Sequence, residues 1–139
     1  MIIYDAKDAI LGRIGTRIAK SAILGEDVIV VNTAYAVISG GKKSILAEYL
    51  NKFKRGTYAH GPFYPKVPSR LFKRLIRGMV PYKTGDGKKA YSRIKCYSGV
   101  PKSFEGKDFI VVKDALLTKL PKREYQSIAD ICKLLGGKQ

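Results

Sequence analysis

VIVVN, residues 28–32, is a run of four β-branched residues stopped by an asparagine, and its reading decides the fold. A strand with one wet face alternates apolar and polar residues. A run without alternation is apolar on both faces, as in a parallel sheet covered on both sides. Parallel strands must be joined by a crossover, usually a helix, so helices are expected on either flank. Upstream, MIIYDA suits a buried strand ending at Asp5, and Leu11 to Leu24 carries helical apolar spacing until Gly25-Glu26-Asp27 interrupts it. Downstream, AVIS precedes Gly40-Gly41, and a second helical stretch covers roughly Ser44 to Phe53. Strands alternating with helices predict an α/β fold built on a parallel sheet.

Residues 54–69, KRGTYAHGPFYPKVPS, hold three prolines and two glycines and read as an extended loop. Ser69 to Arg77 is helical, with Pro68 and Ser69 as start signals. A turn rich in glycine follows, then a short helix over Lys88 to Arg93, then strands at IKCYSG and at DFIVV, residues 108–112. The C-terminal SIADICKLLGG reads as a helix, opened by a capping box of Ser127 and Asp130 and stopped at Gly136-Gly137. No repeat and no linker divides the 139 residues, so a single domain, 1–139, is expected. At 45% hydrophobic the chain has the material for a packed core.

The two cysteines, Cys96 and Cys132, lack metal-ligand spacing, and Cys132 shares a helical face with Ile128, Ile131 and Leu135. No signal peptide and no membrane-spanning run is evident, which predicts an intracellular protein with free thiols.

Charge is the outlying property, with 27 Lys and Arg against 11 Asp and Glu, a net +16. Residues 52–95 carry thirteen of the bases and one acid, Asp86. Interleaved are Phe53, Tyr58, Phe63, Tyr64, Phe72, Tyr82 and Tyr91. Cations alternating with aromatic rings suit RNA, where both stack on unpaired bases. Arg70, Lys73, Arg74 and Arg77 follow i, i+3, i+4, i+7 and so form one face of the helix at 69–77, with Leu71, Phe72, Leu75 and Ile76 opposite. With no acids at i±4, the row repels itself and favours a polyanionic partner. A membrane surface or a calmodulin-like partner fits less well, because the helix is short and much of the charge lies in flanking loops. On the first helix Arg13, Arg17 and Lys20 share a side, and Gly12 and Gly15 leave room for a close approach.

Catalytic patterns fail their context. GDGKKA, residues 85–90, matches GxGxxA, but VPYKT precedes it where a dinucleotide site needs an apolar strand. SGGKK, residues 39–43, lacks the first glycine and the closing Ser or Thr of a phosphate loop, although backbone N–H groups there could still meet a polymer phosphate. His60, the only histidine, has no nearby nucleophile and reads as a phosphate or base contact. No enzyme, metal or cofactor is expected. A nucleotide-dependent enzyme using these glycines, and a DNA- or transfer-RNA-binding module, remain the rival classes.

The order ILGRI, VIVVN, AVISG, GPF, PSR, RGMVP at 77–81 and YSGVP at 97–101 resembles the large-subunit ribosomal protein L-thirteen family. The short join between Gly25-Glu26 and VIVVN is similar to the archaeal and eukaryotic branch, and a chain this short resembles the archaeal members most. The resemblance implies a three-layer α/β/α fold with a four-stranded, mostly parallel sheet, to which basic loops and the C-terminal helix are added. It also implies a cytoplasmic ribosome component that binds large-subunit ribosomal RNA, adjoins other large-subunit proteins and enters early in assembly. No small-molecule substrate and no membrane is expected. The candidate RNA contacts are Arg13, Arg17, Lys42, Lys43, Arg55, His60, Arg70, Lys73, Arg74, Arg77, Lys83, Lys88 and Lys89. Gly85 and Gly87 are expected to let a flexible loop follow the RNA.

Overall fold

The computed structural model describes residues 1–137. VIVV forms strand β2, Val28–Val31, buried throughout and placed in the middle of a three-stranded parallel sheet. Its neighbours are β1, Ile2–Asp5, in register from Ile2↔Val28 to Asp5↔Val31, and β4, Ile94–Cys96, from Val28↔Ile94. The helix α1, Leu11–Ile23, makes the crossover from β1 to β2.

Alternate residues of the central strand enter two different clusters. Val28 and Val30 join Tyr4 and Ile94 in the main core with Ile14 and Ile18 of α1. Leu71, Phe72 and Ile76 of α3, Pro68–Arg77, and Ala90 of α4, Gly85–Arg93, complete that face. Full burial of each such Ile, Leu or Phe side chain contributes about 1.5–3 kcal/mol. Ile29 and Val31 point the other way and meet Ile3, Tyr97, Val100, Phe104 and Phe109. That second cover is an irregular segment with one 3₁₀ turn at Lys102–Phe104, where a helical third layer was expected.

The sheet also has fewer strands than expected. AVIS supplies β3, Val37–Ser39, which leaves the parallel sheet and pairs antiparallel with β5, Tyr125–Ser127. DFIVV touches the sheet at one point, where Ile110 N–H donates to the Ile3 carbonyl at 2.8 Å and Asp5 N–H to the Ile110 carbonyl at 3.1 Å. Ile110 and Val111 remain half-exposed, so little burial holds them in line. The chain then turns through Lys113–Ala115, where buried Ala115 takes the Ile10 N–H on its carbonyl. That anchor ends the strand before a ladder forms.

The helices follow their local chemistry. α3 starts with Pro68, whose fixed φ suits a first helical position, and Gly78 caps its end. α5, Ile128–Leu134, opens with Ser127 Oγ accepting the Asp130 N–H at 3.1 Å, the capping pair expected. Its Ile128, Ile131 and Cys132 are buried, and Gly136 follows in the left-handed region at φ +78°. α2, Lys42–Lys54, packs on α5 and β5. Of the two glycines in α1, Gly15 is closely approached, by the Met79 side chain rather than by a backbone, while Gly12 has open space.

α4 starts three residues before its expected origin. Thr84 caps it, its Oγ1 accepting the Gly87 N–H at 3.1 Å, so Gly85-Asp86-Gly87 is a helical first turn and not a flexible loop. Gly87 has a packing role instead. A Cβ on it would lie 1.8 Å from the Pro81 carbonyl oxygen, so only glycine lets α4 dock on the turn after α3.

Candidate nucleic-acid interface

The row on α3 forms as one face, but it is not freely solvated. Arg70 is exposed, whereas Lys73, Arg74 and Arg77 are half-buried. Each of the last three lies over an aromatic ring of this chain. Lys73 Nζ sits 4.7 Å from the Tyr91 centroid, the Arg74 guanidinium 5.7 Å from Tyr64, and that of Arg77 4.6 Å from Tyr82. Rings hold these cations in place by quadrupole attraction and restrict their rotamers. Arg77 Nε is buried without an acceptor among the described residues, so the ring contact carries that side chain. Tyr91 joins α3 to α4 and its hydroxyl donates to the Lys73 carbonyl at 3.4 Å. Burial pushes the Tyr91 phenol above its usual range, against a smaller opposing pull from Arg77 and Arg74. The result is a preset array of positive charge along α3 with Tyr91 of α4 at its flank.

The expected use of the aromatics changes accordingly. Phe72 is fully buried core. Phe53, under Lys66, joins Tyr64, Tyr82 and Tyr91 in giving one ring face to the chain's own cations. Tyr58 and Phe63 are different, at 97% and 75% exposure. Both belong to the interleaved aromatics that suit RNA in the sequence, though neither is singled out there as a contact. Their signal in sequence is an aromatic residue set in a Gly- and Pro-rich loop, where no helical or strand period buries it.

The remaining candidates are distributed. Lys83, Lys88 and Lys89 are exposed around the start of α4, with Lys89 Nζ 3.9 Å from Asp86. Arg55 and His60 are exposed in the loop after α2. Arg13 and Arg17 project from α1 toward one residue, Arg13 donating to the Asp114 carbonyl at 3.1 Å and Arg17 facing the Asp114 carboxylate at 3.8 Å. Such exposed ion pairs are weak and break readily for a stronger anion. Lys42 and Lys43 are exposed at the start of α2, next to β5. There the Gly40 N–H already donates to the Glu124 carbonyl at 2.9 Å, so the glycine pair is only partly open to an anion. Arg93, by contrast, is a brace, donating to the Ala22 carbonyl at 3.3 Å.

The segment before GDGKKA is a turn, not a strand. Among the described residues no cluster of three His, Cys, Asp or Glu forms a metal site, and no helix is long and apolar enough to cross a membrane.

Comparison with known proteins adds an independent line. A family model described as Ribosomal protein L13 matches residues 1–103. The large ribosomal subunit protein uL13 of Archaeoglobus fulgidus is 41% identical over 135 residues, covering 96% of this chain and 86% of that one. The proteins of the same name from Methanococcoides burtonii and Methanosarcina barkeri are 40% and 39% identical, each over 99% of both chains.

Proposed function

The chain belongs to the ribosomal protein L13 family, and from that premise we propose that it is a structural constituent of the large ribosomal subunit in the cytoplasm. It binds large-subunit ribosomal RNA and helps the subunit assemble, without catalysing a reaction. The observation that carries this reading is the α3 row, three of whose four cations are held in place by rings and which almost no acid opposes. Preset cations replace the counterions around folded RNA, and their restricted rotamers lower the entropy lost on binding. The contacts proposed are Arg70, Lys73, Arg74 and Arg77, with Lys83, Lys88 and Lys89 at the start of α4. Arg55, His60, Arg13, Arg17, Lys42 and Lys43 extend the surface around them. The whole chain acts as one domain, a reading supported by a core that runs from Tyr4 to Leu135.

Sedimentation of cell extract tests the proposal. The protein is expected to travel with the large subunit in low salt and to stay there in high salt. Release into the soluble fraction at modest salt would overturn a built-in role and leave only general attraction to polyanions.

A further inference from the structure

The loop after α2 closes on itself. Thr57 and Gly61 exchange two backbone hydrogen bonds, of 3.2 and 2.9 Å, and the Thr57 hydroxyl takes the His60 N–H at 3.2 Å. Gly56 and Gly61 both have positive φ, and a Cβ on Gly56 would lie 1.8 Å from the Gly61 carbonyl oxygen. This tight closure presents Tyr58 and Phe63 outward with almost no burial to account for them. Both line an open cleft of about 430 Å³ whose wall also carries Lys54, Arg55 and Lys66. No acid lines it.

We infer that this cleft takes an unpaired RNA nucleotide, its base stacked on Tyr58 or Phe63 and its phosphate met by Lys54 or Arg55. The inference rests on the RNA-binding reading above and divides the labour within it. The α3 row holds backbone phosphate, and the 55–63 loop selects single-stranded RNA. Three features select this occupant. The aromatic faces are flat and exposed, as base stacking requires. The cations suit a phosphate joined to that base. The closed backbone presets the loop, so binding does not have to order it. An apolar protein partner would leave the three cations of the wall without counter-charges.

The test compares binding of the purified chain to three probes at equal ionic strength: a short oligoadenylate, an abasic strand of the same length, and an RNA duplex. The wild type is expected to prefer oligoadenylate to the abasic strand by about tenfold, the effect of one stacked base. Tyr58→Leu combined with Phe63→Leu should erase that preference while leaving the salt dependence unchanged. The single variants assign the stacking ring. A preference that survives the double variant, or a wild type that binds both strands equally, would overturn the inference and leave the phosphate-binding face intact. Failure to bind any of the three probes would overturn the RNA-binding reading itself, and this inference with it.

Discussion

The guanidinium of Arg77 lies 4.6 Å from the ring centroid of Tyr82, so the last cation of α3 is held by a residue five positions further on, across the Gly-Met-Val-Pro turn. The turn therefore does more than reverse the chain. It returns a ring under the charge that precedes it, so under the proposed function RNA affinity and folding stability would meet at one residue.

Arg70 and Arg77 should consequently separate the two effects. Replacing Arg74 and Arg77 together by Gln is expected to lower the slope of log affinity against log salt for large-subunit ribosomal RNA by roughly one unit per lost phosphate contact. Arg77→Gln should also cost about 1 kcal/mol in urea unfolding, the worth of a partly buried cation–ring contact. Arg70→Gln, on an exposed side chain, should change stability by less than about 0.5 kcal/mol. An unchanged salt slope in the double variant would remove this face from the interface.

The two glycines that open α4 should respond in opposite ways to alanine. At Gly87 the added methyl meets the Pro81 carbonyl, a backbone atom that cannot swing aside, so Gly87→Ala should destabilise by about 1–3 kcal/mol. At Gly85 nothing lies within 4 Å, and Gly85→Ala should stabilise by about 0.4–1 kcal/mol through lower unfolded-state entropy. Thermal or urea unfolding of both variants decides it, and equal effects would mean that α4 does not dock on the turn as described.

The thiols predict an alkaline weakness. Burial pushes Cys96 from 9.0 up to about 12 and Cys132 up to about 11. In the unfolded chain both thiols would lose their protons from about pH 9, while in the fold they keep them. The native state thus binds more protons above that point, and stability falls as pH rises. The contribution of the buried neutral thiols is complete below about pH 9 and is lost by about pH 12. Alkylation at mildly alkaline pH should be slow in the native protein and fast in guanidinium chloride. Rapid native labelling of Cys132 would contradict its place in the core.

Legibility of the fold followed the range of the forces involved. The VIVVN run announced a central strand because burial on both faces leaves its mark within five residues. The helices were readable from their apolar period, with ends displaced by one to three residues where a cap such as Thr84 decides the start. The partner of AVIS was hidden, because β5 lies at Tyr125–Ser127, in a segment with no apolar alternation of its own. DFIVV looked like a strand by composition, but the pull of Ala115 toward Ile10 ends it, and no local pattern records a distant anchor. In the candidate interface the shared face of the α3 cations was evident from spacing. Their pairing with Tyr64, Tyr82 and Tyr91 was not, since ring and charge meet only after α3, the loop and α4 have packed.

The partnership of β3 with β5 also imposes an order of events. Ile38 pairs with Gln126, so the early strand must wait for nearly the whole chain before its edge is covered. Closing so long a loop is slow compared with forming local helices. During synthesis from the N-terminus, residues 52–95 emerge before α5 can seal the core against Leu71 and Phe72. The newborn chain therefore displays its cationic segment while its hydrophobic interior is still open. For a time it is an adhesive polycation without a finished body, and a polyanion that reaches it then would meet the charge before the fold.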